Sequence, residues 1–164
     1  MNKFGTGGWR AIIGDDFIKS NIQRVAAAVA RKMKDENATE NGFVIGYDRR
    51  FLSVEATQWI SEVMAAEGIH CRVIDKEAPT PLIMFTVNYF KTKYGMAVTA
   101  SHNPAIYNGI KVFTEGGRDA TEDVTRSIEQ YIEAVRPEDI RTIHYKDALS
   151  LGLVEEIDSQ NIYV

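Results

Sequence analysis

Gly42-Phe43-Val44-Ile45-Gly46-Tyr47 is a compact apolar run, long enough for a buried strand and too short for a helix. The sequence on either side of it reads as helix. Upstream, Ile22, Val25, Ala26, Val29 and Met33 recur at helical spacing, with Arg24, Arg31, Lys32 and Lys34 on the other faces. Ser20 and Gln23 in front of them read as a capping box with Ser20 as N-cap. Downstream, Asp48-Arg49-Arg50 forms a charged loop, and Ser53 is expected to cap a second helix. Its inner face is Ala56, Ile60, Val63 and Met64, and Gly68 supplies a left-handed stop.

The same alternation runs along the whole chain. Residues 69–74, 94–99 and 109–114 read as further strands, and 9–13 as an edge strand. Thr80-Pro81 opens a helix, with Thr80 as N-cap. Thr121 caps another, whose apolar positions are Val124, Ile128, Tyr131, Ile132 and Val135. Alternating strands and helices predict an α/β protein, a three-layer α/β/α sandwich. About four main strands are expected in its sheet, with small peripheral additions. Residues 138–164 show two short pieces without an obvious core. They read as a peripheral segment and the start of a linker, within a single domain of residues 1–164.

Composition narrows the function classes. Of 164 residues, 45% are hydrophobic and 26% charged, the balance of a packed globule. With 19 Lys and Arg against 23 Asp and Glu, the net charge is −4, which argues against a basic nucleic-acid-binding face. No apolar run is long enough to cross a membrane. The N-terminus lacks a signal-peptide core, so a cytoplasmic location is expected. One cysteine, Cys71, and three scattered histidines exclude a Cys/His zinc cluster.

The stretch richest in chemistry runs from Thr99 to Lys111, Thr-Ala-Ser-His-Asn-Pro-Ala-Ile-Tyr-Asn-Gly-Ile-Lys. It is a loop of Ala100 to Asn108 between two apolar strands, leaving the strand end where open α/β sheets place ligands. A hydroxyl, an imidazole and an amide stand in consecutive positions, and Asn108-Gly109 turns the chain back. From composition alone, a polar loop with a solvated strand lysine accounts for it about as well. Ser101 beside His102 is a poor hydrolase dyad, since adjacent side chains diverge and no Gly-x-Ser-x-Gly elbow is present.

Thr99-Ala100-Ser101-His102-Asn103-Pro104 followed by Tyr107-Asn108-Gly109-Ile110-Lys111 resembles the active-site signature of the α-D-phosphohexomutase (phosphoglucomutase/phosphomannomutase) family. Three further segments match that family in order: Phe4-Gly5-Thr6-Gly7-Gly8-Trp9-Arg10, Ile45-Gly46-Tyr47-Asp48-Arg49-Arg50 and Pro79-Thr80-Pro81. Ala11 departs from the pattern, in which a glycine often follows the arginine.

The resemblance implies a mostly parallel, mixed sheet with one antiparallel strand. It also implies phosphoryl transfer between hexose phosphates, with Ser101 as phosphoserine donor and acceptor. Arg10 would clamp phosphate oxygens, Lys111 and His102 would move or hold the proton, and Thr99, Asn103 and Asn108 would shape the phosphate loop. Asp48 and Arg49 are expected as a structural pair bracing that loop. Family members bind Mg²⁺ through the serine phosphate and three aspartates of a second domain, a string this sequence lacks. The chain therefore resembles only the first of four domains, expected to pack on C-terminal domains not found here, with Val164 read as a linker cut. Alone, it is expected to be inactive as a mutase. Two competing readings remain: a non-catalytic phosphosugar-binding module, and a serine hydrolase using Ser101, which a serine-reactive phosphonate would label.

Overall fold

Side chains along the central strands alternate between two cores, as the two-residue strand period requires. Phe43 and Ile45 enter one cluster and Val44 the other; Met96 and Val98 enter the first and Ala97 the second. The computed structural model describes residues 8–12, 18–49, 52–99 and 107–158. In chain order they form β1 (Gly8–Ile12), α1 (Lys19–Asp35), β2 (Phe43–Tyr47), α2 (Ser53–Ala66), β3 (Cys71–Ile74), α3 (Thr80–Phe90) and β4 (Tyr94–Val98). There follow β5 (Tyr107–Thr114), β6 (Arg118–Asp119), α4 (Glu122–Ala134), α5 (Tyr145–Ser150) and β7 (Val154–Ile157).

The sheet has seven strands in the order β1-β5-β4-β2-β3-β7, with β6 beside β5. Strands β4, β2, β3 and β7 run parallel to one another, while β5 lies antiparallel between β1 and β4. Helices cover both faces unequally. The larger core draws residues from α1, α2, α4 and α5, and the smaller one from α3.

Several sequence expectations shift. The sheet holds seven strands where about four main ones were expected. Part of the difference is β7, from the segment that looked coreless: Val154 and Ala148 are buried in the larger core. Short pieces of four and six residues carry too little periodicity to announce themselves, and their apolar side chains are buried by packing on β3, α2 and each other. Helix α1 begins at Lys19 with Ile18 at the N-cap and no side-chain cap, so Ser20 lies inside the first turn. Helix α2 is preceded by Leu52 at φ 69°, and Ser53 is its first residue. Helix α3 starts one residue earlier than expected, with Pro79 at the N-cap. Thr121 does cap α4, its hydroxyl accepting from the Val124 amide at 3.4 Å. Among the described residues no helix is long and apolar enough to cross a membrane.

Candidate functional site

Backbone pairing continues beyond the ends of β2 and β4 and brings the sequence motifs together. The Asp48 amide donates to the Val98 carbonyl at 3.2 Å, and the Thr99 amide donates to the Gly109 carbonyl at 2.9 Å. On the other side of β5, the register sets Arg10 opposite Gly109. Arg10, Gly109, Thr99 and Asp48 thus form one row across four neighbouring strands. The fourth motif joins this row, because the Ala78 amide donates to the Tyr47 carbonyl at 2.9 Å. Ala78 and Pro79, with Asp48, Arg49 and Glu77, line an open cleft of about 300 Å³. Its place outside the carboxyl ends of parallel strands is where open α/β sheets bind ligands.

The polar groups here are tied to one another. Asp48 accepts from Thr99 Oγ1 at 2.7 Å through Oδ2 and from Ser53 Oγ at 3.0 Å through Oδ1. Arg49 forms its ion pair with Glu77, Nε to Oε2 at 2.5 Å. The expected Asp48–Arg49 pair is therefore divided among other partners. Residues 48 and 49 are sequence neighbours at a strand end, so their side chains diverge, and each meets what the adjoining loops supply. Tyr47 donates to the Asp75 carbonyl at 3.3 Å. Its phenol is held above the ordinary value by burial and by the negative charge of Glu77, Asp75 and Glu156.

The candidate residues fall into three groups. Ser101, His102 and Asn103 lie outside the described residues. Arg10 and Asn108 are placed by backbone register alone, with Asn108 opposite Ala11. Lys111 and Thr99 are described with their side chains. Lys111, paired in register with Ala97 and Gly8, meets Asp119 Oδ1 at 3.2 Å with its side chain about one-third exposed. Thr99 is 8% exposed and turns its hydroxyl to Asp48.

The sequence reading missed Ser53 as a ligand of Asp48, having assigned it to a cap. It also missed Asp119, although the Glu115-Gly116-Gly117 turn was legible. That turn folds β6 back so that Asp119 opposes Phe113, one diagonal from Lys111. Among the described residues, no group of three or more His, Cys, Asp or Glu side chains could hold a metal ion.

Comparison with known proteins agrees with this arrangement. Residues 1–139 match the family model described as phosphoglucomutase/phosphomannomutase, alpha/beta/alpha domain I. The phosphoglucomutase of Staphylococcus haemolyticus (strain JCSC1435) is 38% identical over 132 residues, 79% of this chain and 24% of that protein. That of Staphylococcus aureus (strain MRSA252) is 38% identical over 137 residues, 80% of this chain and 24% of that protein. A solved structure of a putative phosphomannomutase from Thermus thermophilus superposes with a TM-score of 0.82 at 27% identity, over 99% of this chain and 34% of that one. The chain spans about a quarter of the length of the curated relatives it matches. A shared fold, a shared order of motifs and their meeting at one sheet end lead to one conclusion: this chain belongs to the phosphoglucomutase/phosphomannomutase family and carries its α/β/α domain I.

Proposed function

We propose that this chain is the phosphoserine domain of a phosphohexomutase, which interconverts hexose 1-phosphate and hexose 6-phosphate through a bisphosphate. The supporting observation is the row Arg10, Gly109, Thr99 and Asp48, which gathers separate motifs around the strand end two residues before Ser101. In the reaction, the phosphorus–oxygen bond at Ser101 breaks as a new bond forms to the free hydroxyl of the sugar phosphate. The proton released by that hydroxyl passes to a base, for which Lys111 and His102 are the candidates. The bisphosphate then returns its other phosphate to Ser101, leaving the isomeric monophosphate.

A phosphoserine carries roughly −1.5 to −2 charges, so transfer requires cations around it. Arg10 offers a planar fork for phosphate oxygens and Lys111 a compact ammonium. The described residues do not form a metal cage. Mg²⁺, where bound, would neutralise charge on the phosphoryl group, and this chain's part would be an oxygen of the Ser101 phosphate. The remaining ligands, the sugar specificity and the surfaces that complete the site belong to C-terminal domains of the full-length enzyme. Residues 1–164 would then be the first of four domains, acting in the cytoplasm.

The test is incubation of the full-length enzyme with ³²P-labelled glucose 1,6-bisphosphate and Mg²⁺, followed by peptide mapping. Label is expected on Ser101 and absent from Ser101→Ala. Label on another residue, or its persistence in the alanine variant, overturns the proposal. The chain alone should not turn glucose 1-phosphate over at a meaningful rate. Positioned acid–base groups contribute only about 10²–10⁴-fold, which does not replace the missing charge stabilisation.

A further inference from the structure

Thr99 is the last described residue before the Ser101 segment, and it is held from both neighbouring strands at once. Its amide donates to Gly109 of β5 at 2.9 Å, and its hydroxyl donates to Asp48, just past β2, at 2.7 Å. The other carboxylate oxygen of Asp48 accepts from Ser53, the first residue of α2 and 1% exposed, at 3.0 Å. One carboxylate therefore joins the end of β2, the end of β4 and the start of α2. Both donors are neutral hydroxyls, so these are charge-assisted bonds, stronger than those between two neutral groups. Immediately before Ser53, Leu52 lies in the left-handed region at φ 69°. A backbone of that kind persists only where its surroundings over-determine it.

We propose that Asp48 is a positioning residue: by gripping the Thr99 hydroxyl it sets the direction in which the chain leaves β4 toward Ser101, and so governs how readily that serine takes a phosphoryl group. This rests on the phosphoserine reading of Ser101. The chemistry of transfer demands such an anchor. A nucleophile two residues from a strand end inherits any rotation of that end, and a displacement of about 1 Å is enough to cost roughly 10²-fold in rate. Thr99 then acts on the reaction through the backbone, with its own hydroxyl turned inward.

The experiment uses the full-length enzyme and three variants. Thr99→Val keeps the side-chain shape and deletes the hydroxyl. Asp48→Asn keeps the size and removes the charge. Thr99→Ser restores the hydroxyl. Two readings are taken on each: amide hydrogen exchange at residues 99 and 110, and the rate of ³²P transfer from glucose 1,6-bisphosphate to Ser101. Thr99→Val and Asp48→Asn should exchange faster at residue 99 with core amides of α1 unchanged, and should label roughly 10- to 100-fold more slowly. Thr99→Ser should restore both toward the native values. Native exchange and native labelling in Thr99→Val would overturn the proposal, as would equal slowing in Thr99→Ser. Absence of label on the native full-length enzyme would instead overturn the phosphoserine reading, and the exchange data would still decide whether Asp48 anchors the strand end.

Discussion

Glu67 sits just past the end of α2, where Lys34 of α1 and Arg141 both reach its carboxylate. Partial burial works to raise its pKa, but hydrogen bonds and charge from Lys34 and then Arg141 outweigh it and hold the carboxyl below its usual range. A depressed carboxylate stabilises the fold above its unfolded pKa of about 4.3 and loses that contribution as pH falls through the lower folded value. Glu67→Gln should therefore lower the urea midpoint at pH 7, with the difference from the native protein shrinking as the pH is lowered below that range, as measured by circular dichroism. Lys111 and Asp119 contrast with this. Their pair is partly solvated, with side-chain exposures of 31% and 52%, and such pairs contribute at most about 1 kcal/mol. Asp119→Asn should leave the urea midpoint nearly unchanged. Under the proposed function, any larger effect would appear in phosphoryl transfer, through the freed ammonium of Lys111.

At the scale of elements, α3 fits closely against the sheet. Gly46 and Gly95 lie beneath it on β2 and β4. A Cβ at Gly95 would come within 2.5 Å of Val87 Cγ2 and 2.9 Å of the Val44 carbonyl oxygen. At Gly46 it would meet only side-chain atoms, Ile83 Cγ1 at 2.6 Å and Cδ1 at 2.7 Å. Overpacking of this kind costs about 1–3 kcal/mol, and more where the neighbour cannot yield. Gly95→Ala should thus destabilise the protein more than Gly46→Ala, a ranking that guanidinium denaturation of the two variants will check. Both glycines were visible in the sequence, but as members of apolar runs. Their reason is the approach of α3, whose Ile83 lies 37 residues beyond Gly46 and whose Val87 precedes Gly95. The helix termini were less legible for a similar reason. Ser53 looks like a cap in isolation, yet its hydroxyl donates to Asp48, and Leu52 takes the N-cap position while Ser53 becomes the first helical residue.

Across the whole molecule, the larger core encloses Cys71, which is fully buried and donates to Ser61 Oγ at 3.6 Å. Burial pushes its thiol up to about 12, with Ser61 and Arg72 opposing weakly. The thiolate is the reactive form, so Cys71 should resist a disulfide reagent at pH 8 in the folded chain. Its modification rate should follow global unfolding in urea, and rapid labelling of native protein would contradict this packing. Because β7 continues the sheet beyond β3, with Cys71 opposite Val154, deleting residues 145–157 should expose this thiol and raise its labelling rate.

What the linear sequence determined is what short-range patterning can encode. Apolar runs of strand length, helical periodicity and four ordered motifs settle the α/β class, the helices through α4 and the family, since each signal lies within a few residues. The tertiary structure alone decided which strands adjoin, that residues 145–157 join the sheet, and that Asp48 pairs with Thr99 and Ser53 while Arg49 pairs with Glu77. Those outcomes depend on groups brought together from 51 residues apart in the case of Asp48 and Thr99. A carboxylate takes whichever donors the packed strands deliver to it, and no local pattern names them.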